Sequence, residues 1–145
     1  MGAVACERQL VGRSGLVHDP PSAGRVGWVK LVLIGMAGAA GAFARYGIGN
    51  AVGQRSFPWG TLGINLIGSG LLGLLLKLAV DRDWPDTTTL PLGVGFLGAF
   101  TTFSTFSVET HSMLQADRLW AAGAYVAASL IGGIAAAAVG YALAS

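Results

Sequence analysis

Charged residues are scarce in this sequence. Lysine, arginine, aspartate and glutamate make up 11% of its 145 residues, against about 25% in ordinary soluble domains. A folded domain of this size in water needs a charged surface, and a disordered chain needs low hydrophobicity. The 53% share of hydrophobic residues and the mean hydropathy of +0.63 exclude disorder of the whole chain. The composition therefore predicts an integral membrane protein.

Cysteine and catalytic groups are also scarce. The single cysteine, Cys6, excludes an intrachain disulfide and a cysteine metal cluster. His111 has only Glu109 and Ser112 nearby, and side chains two residues apart on a helix point in different directions. Because we find no paired nucleophile and base and no phosphate-binding loop, an enzyme is the class least expected. We also expect no nucleic-acid partner.

The charges fall in clusters, and the stretches between them are long enough to cross a bilayer. A spanning helix needs about 20 mostly apolar residues. The uncharged stretches predict an all-α protein with four transmembrane helices at about residues 28–52, 60–80, 90–114 and 119–143. Residues 1–27 form a polar tail that we expect to be disordered, unless the start is assigned too early. The transmembrane domain is then 28–145.

Glycine is abundant, with 23 residues, and recurs at helical spacing inside the predicted spans. Small residues at such spacing let helix backbones approach closely in lipid, within one chain or between two. Four tightly packed helices leave no lumen, so a pore would need a second chain or a surface groove.

Positive charges near the membrane divide almost evenly between its two sides, four against three. One side carries Arg25, Lys30, Lys77 and Arg82, and the other carries Arg45, Arg55 and Arg118. Because positive charge normally fixes orientation, this near-balance would allow insertion both ways and an antiparallel homodimer. An ordinary topology with the N-terminus inside is equally compatible with the charges.

Three polar positions stand out in the first two spans. Arg45 either reaches the interface from near the helix end or has a structural or vestibule role. Thr61 and Asn65 are four residues apart and so share a helix face. Asn65 either makes an interhelical hydrogen bond or serves the function directly.

The third span is the most unusual segment, LPLGVGFLGAFTTFSTFSVET. Glycines 93, 95 and 98 precede five hydroxyl residues within positions 101–107, and both groups disfavour a regular helix. We therefore expect the third helix to break near its middle, at the glycines, which is tolerated mid-membrane only where the break is buried or lines a cavity. Phe100, Phe103 and Phe106 recur every three residues and should share one side, either as a packing stripe or as part of a site.

Hydrogen-bond donors without fixed charge are the main polar groups inside the spans. Amide and hydroxyl donors, together with the positive edges of aromatic rings, suit an anion that must shed water without being held too tightly. Carbonyl groups of a broken helix suit a small cation instead.

Three segments resemble the Fluc (CrcB) family of fluoride channels over residues 31–145. They are GAFARYG at 41–47, GTLGINLIGSGLLG at 60–73 and GFLGAFTTFSTFSVE at 95–109. Tyr125 followed by Ser129 is a weaker fourth feature.

The resemblance implies an antiparallel, dual-topology homodimer in the plasma or inner membrane, which exports fluoride passively and reduces its toxicity. It assigns the fluoride pore to Phe103, Phe106, Asn65, Thr61, Tyr125 and Ser129. It implies a structural sodium ion held by the carbonyls of Gly98 and Thr101, and vestibule or structural roles for Arg45 and Glu109.

Two other classes compete with this interpretation. A small four-helix multidrug-type exporter needs a membrane-buried carboxylate, usually in its first helix, and the first span here has none. A non-transporting membrane subunit would need neither Asn65 nor the threonine-rich break.

Overall fold

Four long apolar helices make up most of the described chain. The computed structural model describes residues 27–53 and 55–144, so the predicted disordered tail, apart from Gly27, lies outside the described residues. The helices that could span a membrane are Trp28–Val52, Trp59–Asp81, Asp86–Gln115 and Leu119–Ala142, called here the first to fourth spans. They confirm the four predicted spans. The largest difference is that the third begins four residues earlier, at Asp86 rather than residue 90.

The third span is a chain of short helical pieces. Its N-terminal half consists of an α-helix at Asp86–Leu90, a π-helical segment at Pro91–Leu97 and a short α-helical piece at Gly98–Phe100. Its C-terminal half is a continuous α-helix, Phe103–Gln115. Between the halves, Thr101 (φ −80°, ψ 160°) and Thr102 (φ −151°, ψ 112°) are extended. We call these two residues the break.

The break follows the glycines instead of falling on them. Gly95 lies within the π-helical segment, and Gly98 keeps right-handed helical angles. A Cβ atom on Gly95 would lie 2.7 Å from the Ile34 carbonyl oxygen of the first span. The structure is compatible with the predicted break near the middle of the third helix. Its place differs from the expected one at the glycines, because here a glycine allows close packing while the two threonines become extended.

The two halves of the third span pack on different neighbours. The N-terminal half lies mainly against the first span, where Gly41 faces the Phe96 backbone so closely that no Cβ would fit without a shift. The C-terminal half packs on the fourth span, which in turn packs extensively on the second. The break thus separates two packing units.

Glycine also determines how closely the second and fourth spans approach. A Cβ on Gly73 would collide with the Ala137 carbonyl, and one on Gly140 would collide with the Gly70 carbonyl. Such contacts bring backbones together in the way expected for small residues in membrane helices. In contrast, Gly35 and Gly63 have no atom of the described chain within 4 Å of an added Cβ.

The phenylalanines of the third span point in different directions. Phe100 is buried, with 4% of its surface exposed, and its ring stacks on Phe96 at 5.9 Å. Phe103, beyond the break, is 77% exposed. The prediction that Phe100 shares a side with the other two is wrong, because the extended residues between them interrupt the helical rotation.

Candidate functional site

Asn65 holds the break with both ends of its side-chain amide. Its Oδ1 accepts a hydrogen bond from the Thr102 N–H at 2.8 Å, and its Nδ2 donates to the Thr102 carbonyl at 3.2 Å. The second span thereby gives the extended residue the two partners that a helix would otherwise supply. An amide carries two N–H donors, so one donor of Asn65 remains after this pairing.

The same contacts release two backbone carbonyls from helical hydrogen bonding. In a continuous α-helix the Thr102 N–H would donate to the Gly98 carbonyl and the Thr105 N–H to the Thr101 carbonyl. Here the first donates to Asn65 and the second to Thr102 Oγ1, at 3.2 Å. Gly98 and Thr101, the sequence positions predicted for a cation site, are therefore among the residues at the break whose carbonyls lose their usual partners.

Thr102 is the N-cap of the C-terminal half of the third span. Besides accepting from the Thr105 N–H, its hydroxyl donates to Thr105 Oγ1 at 2.9 Å. A threonine side chain that accepts from the third residue onward is a standard way to begin a helix. Thr102 was not among the predicted site residues, and no glutamate or glutamine follows it three residues later to mark it as a cap in the sequence.

Glu109 joins the second, third and fourth spans. Its Oε1 accepts a hydrogen bond from Thr61 Oγ1 at 2.8 Å, and its Oε2 accepts from the Tyr125 hydroxyl at 2.7 Å. Tyr125 is fully buried, with 0% exposure, in a cluster with Leu62 and Met113. Because hydrogen bonds to a carboxylate are stronger than neutral ones, Glu109 fixes the positions of both hydroxyls.

Phe103 and Phe106 form a short row of rings beside this cluster. The Phe106 ring lies 5.1 Å from the Tyr125 ring, tilted by 55°, and 5.6 Å from the Phe103 ring. Tilted rings at such distances are typical of aromatic pairs. Phe106 is thus anchored to the core, while Phe103 extends to the surface of the chain.

Two cavities border the polar residues of the bundle. The end cavity, about 730 Å³, is lined among others by Arg55, Thr61, Thr105, Glu109 and Arg118. The break cavity, about 290 Å³, has thirteen lining residues, all of them uncharged. They are Asn65, Gly68, Ser69, Leu72, Gly93, Leu97, Gly98, Thr101, Thr102, Phe103, Phe106, Ser129 and Leu130.

Among the described residues, two lysines at one end of the bundle form ion pairs, whereas two arginines at the other end do not. Lys30 pairs with Asp86 at 3.1 Å and Lys77 with Asp81 at 2.7 Å. Arg55 and Arg118, which line the end cavity, form no ion pair with any residue that the structure describes. The lining of the end cavity therefore contains two arginines without an ion pair in the described chain and one carboxylate, that of Glu109.

The structure brings most of the predicted site residues together. The break cavity gathers Asn65, Gly98, Thr101, Phe103, Phe106 and Ser129, and the end cavity gathers Thr61 and Glu109. Tyr125 packs in the core and lines neither cavity, although it is bonded to Glu109. Arg45 is half-buried in the first span and lines neither cavity.

Comparison with known proteins places the chain in a family. The model of the family described as CrcB-like protein, Camphor Resistance (CrcB), matches residues 32–141. A protein of Symbiobacterium thermophilum named fluoride-specific ion channel FluC 1 is 53% identical over 90 residues, which cover 58% of this chain and 72% of the relative. One of Hahella chejuensis named fluoride-specific ion channel FluC is 45% identical over 107 residues, covering 70% and 83%. Another with that name, of Bordetella pertussis, is 39% identical over 115 residues, covering 79% and 90%.

The family match and the four apolar helices agree on a multi-pass cell membrane protein. The resemblance found in the three sequence segments is confirmed, since they all lie within the matched residues. The chain belongs to the CrcB family.

Proposed function

We propose that this chain is a fluoride-selective channel that lets fluoride leave the cell passively and so reduces its toxicity. The relatives compared above carry the name fluoride-specific ion channel. The observation that carries the proposal is the break cavity, where donors and ring edges meet without a charged side chain among the described residues.

The lining of the break cavity suits a small anion in transit. Asn65 has one N–H left after its pairing with Thr102, and the rings of Phe103 and Phe106 border the same space. The edge of an aromatic ring carries partial positive charge, so it can replace part of an anion's hydration. Conduction requires binding weak enough for the ion to leave, which neutral donors provide more readily than a buried cation.

The end cavity serves as the entrance in this proposal. Arg55 and Arg118 supply positive potential at its wall, and an excess of one sign of charge raises the local concentration of the opposite ion. Glu109, whose two oxygens accept hydrogen bonds from Thr61 and Tyr125, opposes this attraction in part, with one negative charge against two positive ones.

We further propose that two copies assemble as an antiparallel homodimer. Support comes from Phe103, which is 77% exposed although it borders the break cavity, and from the near-balance of positive charge between the two sides. A second copy would cover the ring and close the cavity. The test uses a Cys6→Ser, Ser56→Cys variant in whole cells: labelling of Cys at position 56 from both sides supports the arrangement, and one-sided labelling contradicts it.

A structural sodium ion is the third part of the proposal. The carbonyls of Gly98 and Thr101 are released from their helical partners, and carbonyl oxygens are suitable ligands for a small hard cation. Such an ion would neutralise the carbonyl dipoles at the break. Replacing sodium by N-methylglucamine should lower the thermal stability of the purified protein, whereas equal stability in both salts would contradict the assignment.

The alternative functions have less support. A proton-coupled multidrug-type exporter would need a carboxylate free to exchange protons and substrate, but Glu109 is held by two hydroxyl groups. A non-transporting subunit would give no reason for an uncharged polar cavity at a helix break.

The deciding experiment is anion efflux from liposomes that contain the purified protein. We expect rapid loss of fluoride with negligible loss of chloride, measured with ion-selective electrodes in the same vesicle preparation. Loss of neither anion, or equal loss of both, would contradict the channel proposal.

A further inference from the structure

Several helix hydroxyls of this protein fold back on their own helix. Ser107 Oγ donates to the Phe103 carbonyl at 2.9 Å and Thr110 Oγ1 to the Phe106 carbonyl at 2.8 Å. Thr101 and Ser112 make the same bond to the carbonyl four residues earlier. This back-bonding is the usual way for a hydroxyl inside a membrane helix to satisfy its donor.

Ser129 of the fourth span departs from that pattern. Its Oγ is shielded from solvent and has no hydrogen-bond partner within the described chain. A buried hydroxyl without a partner is destabilising, and native structures almost always provide one as protein, water or ligand. Because Ser129 lines the break cavity, a species inside that cavity is a candidate for the missing partner.

Ser69 of the second span departs from the pattern as well and lies close by. It has no hydrogen bond to any described residue and lines the same cavity. Its Oγ lies 3.7 Å from the point where a Cβ on Gly133 would be, and Gly133 is one helical turn beyond Ser129. The absence of a side chain at Gly133 leaves this hydroxyl room beside the fourth span.

Ser69 also continues the polar face of its own helix. Thr61, Asn65 and Ser69 are spaced by four residues, so they lie on one face of the second span. Thr61 lines the end cavity, while Asn65 and Ser69 line the break cavity. This face therefore runs from the positive entrance, past the break, to the space that Ser69 shares with Ser129.

We infer that Ser69, together with Ser129, donates hydrogen bonds to the permeating anion at a position beyond the break. Ser69 is then a specificity-determining residue of the pathway. The inference rests on the proposed function, since it assumes that fluoride passes through the break cavity. Two neutral hydroxyls at one position bind a small anion without fixing it, because each can rotate away as the ion moves on.

Ser69→Ala tests the inference against a matched control, Ser107→Ala. The control removes the same atom from a serine whose hydroxyl is satisfied by its own helix and which lines neither cavity. Fluoride efflux from liposomes should fall about tenfold for S69A, the factor expected for one hydrogen bond to a charged group, and stay within about twofold for S107A.

Two further measurements separate ion contact from a structural effect. Ser69→Thr keeps the hydroxyl and should restore most of the flux. The fluoride concentration that half-saturates flux should rise for S69A and not for the control. Flux is compared only among variants that elute at the same volume as the unsubstituted protein in size-exclusion chromatography, so that all of them have the same assembly.

The inference and the proposed function fail in different ways. If the unsubstituted chain conducts fluoride and S69A conducts equally well, the role of Ser69 is refuted and the channel proposal stands. If S69A and S69T lose flux equally, the hydroxyl is not the cause and the inference is also refuted. Absence of fluoride flux through the unsubstituted chain overturns both.

Discussion

Replacing Asn65 by alanine should loosen the break in the third span. The side-chain amide makes two hydrogen bonds to Thr102, and both would be lost. Each backbone group left without a partner costs about 1–3 kcal/mol. The break cavity, about 290 Å³ in volume, is large enough for water to satisfy one of the two groups. One group then stays without a partner, so we expect local destabilisation of about 1–3 kcal/mol, which corresponds to a change of about 5- to 150-fold in the opening equilibrium.

Hydrogen exchange followed by mass spectrometry measures that opening directly. Peptides that cover residues 98–105 should exchange about 5- to 150-fold faster in Asn65→Ala than in the unsubstituted protein, in the same detergent. Peptides from the fourth span should change little, because their packing on the second span depends on glycine contacts elsewhere. Asn65→Asp should give a smaller increase, since its carboxylate still accepts from the Thr102 N–H.

Asn50→Ala is the matched control for this experiment. Asn50 is an exposed asparagine of the first span with no hydrogen bond to any described residue, so its replacement should leave exchange at residues 98–105 unchanged. If the exchange rate at residues 98–105 in Asn65→Ala is within about threefold of that in the unsubstituted protein, the amide does not hold the break. Equal acceleration by both alanine variants would refute the reasoning as well, because the effect would not be local.

Two further predictions concern packing and the aromatic row. Gly140→Ala should destabilise the protein by about 1–3 kcal/mol, because its Cβ would collide with a backbone carbonyl of the second span. Gly123 is in the same helix, but a Cβ added to it would meet no atom of another helix of the described chain within 4 Å, so Gly123→Ala should leave the thermal stability unchanged or slightly raised. An equal loss of thermal stability in both variants would refute the contact argument. Phe103→Ile and Phe106→Ile should both reduce fluoride flux, but only the second should also lower the melting temperature, because Phe106 packs on the buried core and Phe103 is exposed. Undiminished flux in both variants would favour a packing role for the rings.

The spans could be predicted from the sequence because one physical effect determines them. A charge inside the hydrocarbon region is costly, so the positions of charged residues limit where helices can cross. The first span was predicted at its observed bounds, and the others differ mainly where Asp86 and Asp81 fall within a helix end. Helix ends at the interface tolerate such residues, and hydropathy alone does not exclude them.

The break could be anticipated but not located, because its position depends on contacts between distant residues. Glycine weakens a helix only if no neighbouring backbone uses the space that it leaves, and the first span fills that space at Gly95. Thr102 becomes extended where Asn65, 37 positions away in the sequence, can hold both of its backbone groups. The pairing of Thr61 and Tyr125 with Glu109 is equally non-local.

Most hydroxyl groups of the threonine- and serine-rich segment already have hydrogen-bond partners, which limits how many are left for an ion. The composition suggested a row of donors for an ion, but most of these donors already have partners. Thr102 caps a helix, Thr101 and Ser107 bond to their own helix, and Thr61 donates to Glu109. The remaining donors in the break cavity are few and neutral. A pathway with few free donors holds a small anion weakly at each position, and weak binding at successive positions is what permits rapid conduction.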